Sequence, residues 1–126
     1  MYENEKKEFL NYLETSIAAT QEEAAKLVQE DRKDEANFIK VKGNIYQVFK
    51  TVFLGIANQK TVNKEYVKSS FISKMETIPV NWKKSYETAR KFNDIEKITV
   101  EEIKLKTLEE IQRTFLSIWE RASIEK

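Results

Sequence analysis

The stretch from Phe38 to Asn58 constrains the fold of this chain more than any other part. Its polar positions recur at steps of three, four and seven, a row typical of a helix and not of an alternating strand: Lys40, Asn44, Gln47, Thr51 and Asn58. Its apolar side chains fill a broad arc, about half of the circumference: Phe38, Val41, Ile45, Val48, Phe49, Val52 and Ile56, with Tyr46 and Phe53 at the edges. A surface helix needs a narrower stripe, so we expect this helix to be covered from two sides.

Three other segments have the same helical periodicity and are expected to pack around this central helix. The first runs from about Glu3 to Gln29. The last begins at a capping box from Thr99 to Glu102, in which the threonine accepts from a helical amide and the glutamate reaches back, and it ends near Ile124.

The connections between the segments are short and polar. The charged stretch from Glu30 to Glu35 fits either a turn or the middle of one long helix, and an aspartate N-cap at Asp31 or Asp34 favours the turn. Asn63 is the predicted N-cap of the third helix. Pro79 should kink or break that helix, because a proline inside a helix removes a backbone hydrogen bond.

The chain has only two glycines and one proline in 126 residues, which argues against sheets joined by tight turns. Four helical segments of similar length joined by short connections predict a single domain over residues 1–126, an all-α, up-down antiparallel four-helix bundle. The predicted core is drawn from all four segments: Phe9, Leu13, Ile17, Leu27, Ile45, Phe49, Val52, Ile56, Phe71, Met75, Trp82, Leu108, Ile111, Phe115 and Ile118.

Composition removes most kinds of catalysis. The absence of histidine and cysteine excludes thiol nucleophiles, Ser-His arrangements and thiolate metal sites. With Gly43 and Gly55 as the only glycines, no phosphate-binding loop or dinucleotide fingerprint can be written. We therefore predict no cofactor, no metal site and no enzymatic activity. The longest apolar run, Val52 to Ala57, is far too short to span a membrane, and no export signal is visible, so we expect a cytoplasmic protein.

One enzymatic alternative survives this exclusion, because carboxylates alone can hold Mg²⁺ beside phosphates. Some small α-helical nucleotide pyrophosphohydrolases use Glu-x-x-Glu and a later Glu-x-x-Asp. The nearest matches here are Glu5-Lys-Lys-Glu8 and Asp31-Arg-Lys-Asp34, and the second departs from the pattern at its first position. The sequence favours reading these carboxylates as a solvated face.

The net charge of +1 hides an asymmetry along the chain. Acidic residues outnumber basic ones two to one in residues 1–35, whereas residues 60–92 carry eight basic and three acidic side chains. Either oppositely charged helices lie side by side or face solvent, or the basic segment forms a surface for an acidic partner. If that partner is a nucleic acid, we expect phosphate contacts from four lysines: Lys68, Lys83, Lys84 and Lys91. A single arginine in the segment argues against sequence-specific DNA binding.

The outer face of the central helix suggests association. Leu54 projects opposite the core arc, and Gly43 projects to the same side, where a missing side chain would let another backbone approach. Together with Gln47 these residues form a candidate interface for a partner helix or a symmetric dimer. We therefore predict a small binding or regulatory module that acts through protein contacts, most simply as a homodimer.

Overall fold

The structure, a computed structural model, describes the backbone of residues 2–60 and 62–124 and the side chains of residues 2–60 and 62–121. Within these ranges the chain is all-α, as predicted, and contains no strand. Its helices are α1 (Glu3–Gln29), α2 (Lys33–Ala57), α3 (Lys64–Thr77), α4 (Val80–Lys91) and α5 (Ile95–Ile124).

A tight turn separates α1 from α2, so the favoured prediction for residues 30–35 is confirmed and the alternative of one continuous helix is wrong. Asp31 has a left-handed backbone with φ of 61°, which stops α1. Arg32 stands at the N-cap of α2 and makes no capping bond through its side chain. Its guanidinium instead pairs with Glu30 and Glu35 on either side of the turn. The predicted aspartate N-caps are therefore wrong. The side-chain interactions at this turn are the ion pairs of Arg32 with Glu30 and Glu35.

The start of α3 is as predicted. Asn63 has an extended backbone, and its Oδ1 accepts a hydrogen bond of 2.8 Å from the backbone N–H of Tyr66. Between α3 and α4 the chain passes through Ile78 and Pro79, and the proline ring is buried. The backbone N–H of Lys83 bonds to the carbonyl of Pro79 at 3.0 Å, which is the first turn of α4.

The predicted start of α5 is wrong by five residues. The helix begins at Ile95, and the Asp94 Oδ1 accepts a bond of 3.2 Å from the backbone N–H of Lys97. Thr99 lies inside the helix, where its hydroxyl donates to the carbonyl of Ile95 at 3.0 Å. The helix starts after Asp94 because this side chain accepts from a backbone N–H that has no partner within the helix. The hydroxyl of Thr99 instead donates to a carbonyl that is already part of the helix.

The main core is built on aromatic rings from four helices. The ring centroids of Phe9 in α1 and Phe53 in α2 are 4.9 Å apart, and those of Phe71 in α3 and Phe115 in α5 are 4.7 Å apart. Trp119 stacks on Phe115 at 4.8 Å. Every residue of the predicted core is buried except Val52 and Trp82, which are half-buried against it.

The expectation that α2 is covered from two sides holds only in part. Ile45, Phe49 and Phe53 are buried, but Phe38 and Val41 are half-buried and Val48 is 39% exposed. The reason is the reach of the neighbouring helices: α1 packs along α2, α3 contacts α2 and α5, and α4 packs mainly on α5. The first half of α2 is therefore left open on the side that faces the start of α5.

The cap of α5 can be tested by paired substitutions. Asp94→Ala should lower the free energy of unfolding by about 1 kcal/mol, because it leaves the Lys97 N–H without its acceptor. Thr99→Ala should leave stability unchanged or slightly raised, since alanine is the better helix former. Urea unfolding of the two variants checks this, and a loss at Thr99 without one at Asp94 would restore the capping box as the helix start.

Candidate functional site

The open side of α2 forms a groove of about 670 Å³ against the start of α5. The α2 wall carries Phe38 and Val41, and the α5 wall carries Ile95 and Val100. Phe38 and Val41 are three residues apart, a helical spacing that would ordinarily place both in a core. They remain accessible because no other described helix crosses this part of the bundle. The remaining lining residues are polar: Asp34, Asn37, Glu96 and Thr99.

The turn from α4 to α5 adds an exposed apolar corner to the groove. Phe92 is 72% exposed and Ile95 is 67% exposed, the two highest values among the large apolar side chains of the described chain. Ile95 belongs to both features, because it lines the groove and stands at the corner. Exposed apolar side chains that cluster beside a groove are typical of interaction surfaces.

The charges at the groove mouth are negative. Asp34 and Glu96 line the groove, no lysine or arginine does so, and neither carboxylate makes an ion pair with the described residues. An unpaired carboxylate at the rim favours a partner with basic side chains, since no existing ion pair has to be broken when it binds them.

A polar cluster joins three helices on the other side of α2. The hydroxyls of Tyr12 and Tyr46 both donate to the Oε2 atom of Glu110, the second at 2.7 Å. Tyr12 comes from α1, Tyr46 from α2 and Glu110 from α5, so one carboxylate oxygen links all three. The Tyr46 ring is buried and the Tyr12 ring half-buried, and they meet edge to face at 6.2 Å.

The protonation states of this cluster follow from its hydrogen bonds. Burial acts to raise the pKa of Glu110, but the bonds from Tyr12 and Tyr46 and the charges of Lys42 and Arg113 outweigh it, and the pKa is lowered. Burial, and then the hydrogen bond to Glu110, raise the pKa of both tyrosine hydroxyls. The carboxylate therefore stays ionised and the phenols stay neutral near neutral pH. Such a cluster holds helices together and offers neither a free base nor a nucleophile.

Reasoning from the sequence does not find this cluster. The projection of a single helix could not show it, because the partners are tyrosines from two other helices. Tyr12 lies near the stripe of α1, and Tyr46 was placed at the edge of the core arc, which is the signal that a polar partner was needed for their hydroxyls.

The predicted interface residues on α2 do not form one outer face. Gly43 packs against α1: a Cβ at this position would lie 2.7 Å from the Thr20 Oγ1 and 3.3 Å from the Thr20 Cβ. The glycine does allow a close helix approach, but the approaching helix belongs to the same chain. Gln47 is exposed beside a small groove of about 210 Å³ that Gly43 and Thr20 also line. Leu54 is half-buried and lies outside both apolar clusters.

The predicted basic residues lie on α3 and α4. Lys68 is paired with Glu120 of α5 at 3.5 Å, and Lys83, Lys84 and Lys91 are exposed. The pairing of Lys68 is an instance of the oppositely charged helices that the sequence offered as one explanation of the charge asymmetry.

The predicted carboxylate motifs are engaged elsewhere. Glu5 is paired with Lys64 of α3 at 3.3 Å. Burial acts to raise the pKa of Glu5, but the hydrogen bonds that its carboxylate accepts and the charge of Lys64 outweigh burial, and the pKa is lowered. Glu8 pairs with Arg121. Asp31 lies in the turn between α1 and α2, and Asp34 is the second residue of α2. Among residues 2–60 and 62–121, no three acidic side chains come together as a metal site would require.

A second buried carboxylate lies on α5. Glu101 is 4% exposed, its Oε1 accepts from the Lys104 Nζ at 3.1 Å, and its Oε2 has no hydrogen-bond partner within the described chain. Lys104 lies 5.8 Å from the centre of the Trp82 ring of α4. Reasoning from the sequence does not find this pair.

Comparisons with protein families, with curated proteins and with solved structures find no match to this chain. No described helix is both long and apolar enough to cross a membrane. The interpretation of the chain therefore depends on its own geometry.

The Glu110 cluster predicts a specific loss of stability in acid. A carboxylate whose pKa is lowered by folding stabilises the folded state above its unfolded pKa of about 4.3, and this contribution disappears as the pH falls through the lower folded value. Glu110→Gln should lower the free energy of unfolding by about 1–3 kcal/mol near neutral pH, and the difference from the wild type should shrink as the pH falls below about 4.

The adjacent, exposed Glu109 supplies the matched control. Urea unfolding of Glu109→Gln across the same pH range should follow the wild type. Equal pH profiles for the two glutamine variants would show that the tyrosine bonds do not hold Glu110 ionised.

The contact of Gly43 with Thr20 predicts opposite effects at the two glycines. Gly55→Ala meets nothing within 4 Å and should raise the free energy of unfolding by up to about 1 kcal/mol through helix propensity. Gly43→Ala should lower it, because overpacking costs about 1–3 kcal/mol and exceeds that gain. Thr20→Ala should partly relieve the loss in the double variant. If Gly43→Ala stabilises as much as Gly55→Ala, thermal unfolding would show that α1 does not approach α2 at this point.

Proposed function

We propose that this chain is a small protein-binding module that acts through the groove between α2 and α5. The observation that carries the proposal is the accessible apolar wall formed by Phe38, Val41, Ile95 and Val100. Ile95 is 67% exposed and the other three side chains are half-buried, so that the wall keeps apolar surface that a partner can cover. Apolar walls give binding energy, and the free carboxylates at the mouth select a partner that carries basic side chains.

The bundle that presents the groove is proposed to have up-down antiparallel topology, with α3 and α4 as one arm kinked near Pro79. Pairs of contacting residues support this arrangement. Between α1 and α2, Phe9 meets Phe53 and Tyr12 meets Tyr46, so that the residue numbers rise in one helix as they fall in the other.

The same rule relates α5 to α1 and α3. Glu8 contacts Arg121, whereas the later Tyr12 contacts the earlier Glu110. Trp119 donates from its indole N–H to the carbonyl of Lys64 at 3.2 Å, and the later Phe71 meets the earlier Phe115. The starts of α2 and α5 then come to the same end of the bundle, which is where the groove lies.

A groove between two helix starts suits an amphipathic helix as the bound element. Such a helix can place apolar side chains at i, i+3 and i+4 against the walls and basic side chains against Asp34 and Glu96. We propose a role of this kind, binding or regulatory, in the cytoplasm and without catalysis. Nucleic-acid binding and Mg²⁺-dependent hydrolysis have weaker support, because Lys68 pairs with Glu120 and Glu5 pairs with Lys64.

Two labelled model peptides test the proposal, one with leucine on one helical face and lysine on the other, and one with glutamate in place of lysine. The leucine–lysine peptide should bind, as measured by fluorescence anisotropy, and the leucine–glutamate peptide should not. Ile95→Ser should weaken the binding about 10-fold through the lost apolar contact.

Val80→Ser is the matched control, since Val80 is also exposed but lies outside the groove lining. It should leave the affinity unchanged. Equal binding of the two peptides, or equal effects of the two serine variants, would contradict a specific groove.

A further inference from the structure

Phe92 forms an exposed aromatic knob on the turn that leads into the groove wall. It is 72% exposed and lies three residues before Ile95 of the groove wall. The turn that carries it is closed by backbone bonds: Phe92 N–H to the Thr88 carbonyl at 3.1 Å and Asp94 N–H to the Ala89 carbonyl at 2.9 Å. Because the backbone of the turn is already ordered, only the Phe92 side chain loses conformational freedom when a partner buries it.

The charges on the two sides of this corner are complementary. Lys91, immediately before the knob, is exposed and makes no ion pair with any described residue. Glu96, immediately after Ile95, is likewise unpaired at the groove mouth. One chain therefore carries both an aromatic knob with a free cation and an apolar groove with a free carboxylate.

We propose that a second copy of this chain occupies the groove. The proposal rests on the proposed function and names the partner of the same site. In a two-fold arrangement Phe92 of each copy enters the groove of the other beside Ile95, and Lys91 of each copy faces Glu96 of the other. Every contact then occurs twice and the assembly closes as a dimer.

The size of the contact sets the expected strength. Each buried aromatic side chain contributes about 150–250 Å². Two such knobs and comparable areas of the groove walls amount to roughly 600–1,000 Å², which is below the range for stable specific interfaces, about 1,200–2,000 Å² in total. The dimer is therefore weak enough to dissociate at low concentration. Its surface differs from the Gly43, Gln47 and Leu54 interface that the sequence indicated.

Charge reversal with mixing tests the arrangement by sedimentation velocity. The wild type should dimerise, and Phe92→Ser should weaken the dimer about 10-fold or more. Lys91→Glu and Glu96→Lys should each weaken it when alone, because like charges then face each other twice. An equimolar mixture of these two variants should recover dimers, since each interface then pairs a lysine with a glutamate.

Controls and opposing outcomes separate this inference from the proposed function. Glu87→Lys makes the same charge change as Glu96→Lys at an exposed site on α4 and should leave dimerisation intact. Circular dichroism verifies that every variant is folded. A wild type that stays monomeric at high concentration yet binds the leucine–lysine peptide would overturn the dimer and keep the groove. A monomer that binds neither peptide would overturn both, and a dimer that is indifferent to all three corner variants would overturn the corner contact.

Discussion

The meeting of aromatic rings from α1, α2, α3 and α5 is the contact on which the rest of the structure depends. Phe9, Phe53, Phe71 and Phe115 touch one another through ring edges at 4.7 to 6.3 Å, and all four are fully buried. Each ring removes a large apolar area from water and the edge contacts add specificity. Because these rings come from one end of α2 and α5, that end is tightly closed. The opposite end, where the same two helices start, is the open one.

Two carboxylates on α5 show how differently the bundle treats buried charge. Glu110 receives two phenolic hydrogen bonds, so its burial is compensated and its pKa is lowered. Glu101 is more deeply buried and has one charged partner, Lys104, while its second oxygen is left without one in the described chain. A buried ion pair of this kind contributes little net stability, because desolvation offsets the attraction. Glu110 therefore contributes to the free energy of unfolding, whereas the contribution of Glu101 is small.

The sequence predicts this fold wherever one helix alone decides the outcome. The bounds of α1 and the Asn63 cap follow from periodicity and from local hydrogen bonding, and both were predicted. Asp94 was missed because two overlapping caps competed within five residues and the stronger consensus, at Thr99, was chosen. Gly43 was assigned to the wrong neighbour because a projection gives the direction of a missing side chain but not what lies there, which is Thr20.

The candidate site was beyond the sequence for a related reason. Phe38 and Val41 have the pattern of core residues, and nothing within α2 indicates that its first half lacks a cover. That depends on how far α3 and α4 extend along the bundle, a property of packing between helices. The turn after α4 likewise leaves Phe92 exposed to solvent. A site made of uncovered core-like residues becomes visible only once the neighbouring helices are in place.

The attachment of α4 links this packing to the proposed site. Within α4, all of which the structure describes, Ala89 is the only fully buried residue, so few apolar contacts hold the helix. Trp82 supplies much of the rest: its ring meets the Phe49 ring at 6.4 Å and lies under the Lys104 ammonium. Since Phe92 follows the last turn of α4, the orientation of the knob depends on Trp82 and on the Glu101–Lys104 pair beneath it. Since a buried pair contributes little net stability, we expect it to act on the position of α4 more than on the free energy of unfolding, through the contact of Lys104 with the Trp82 ring.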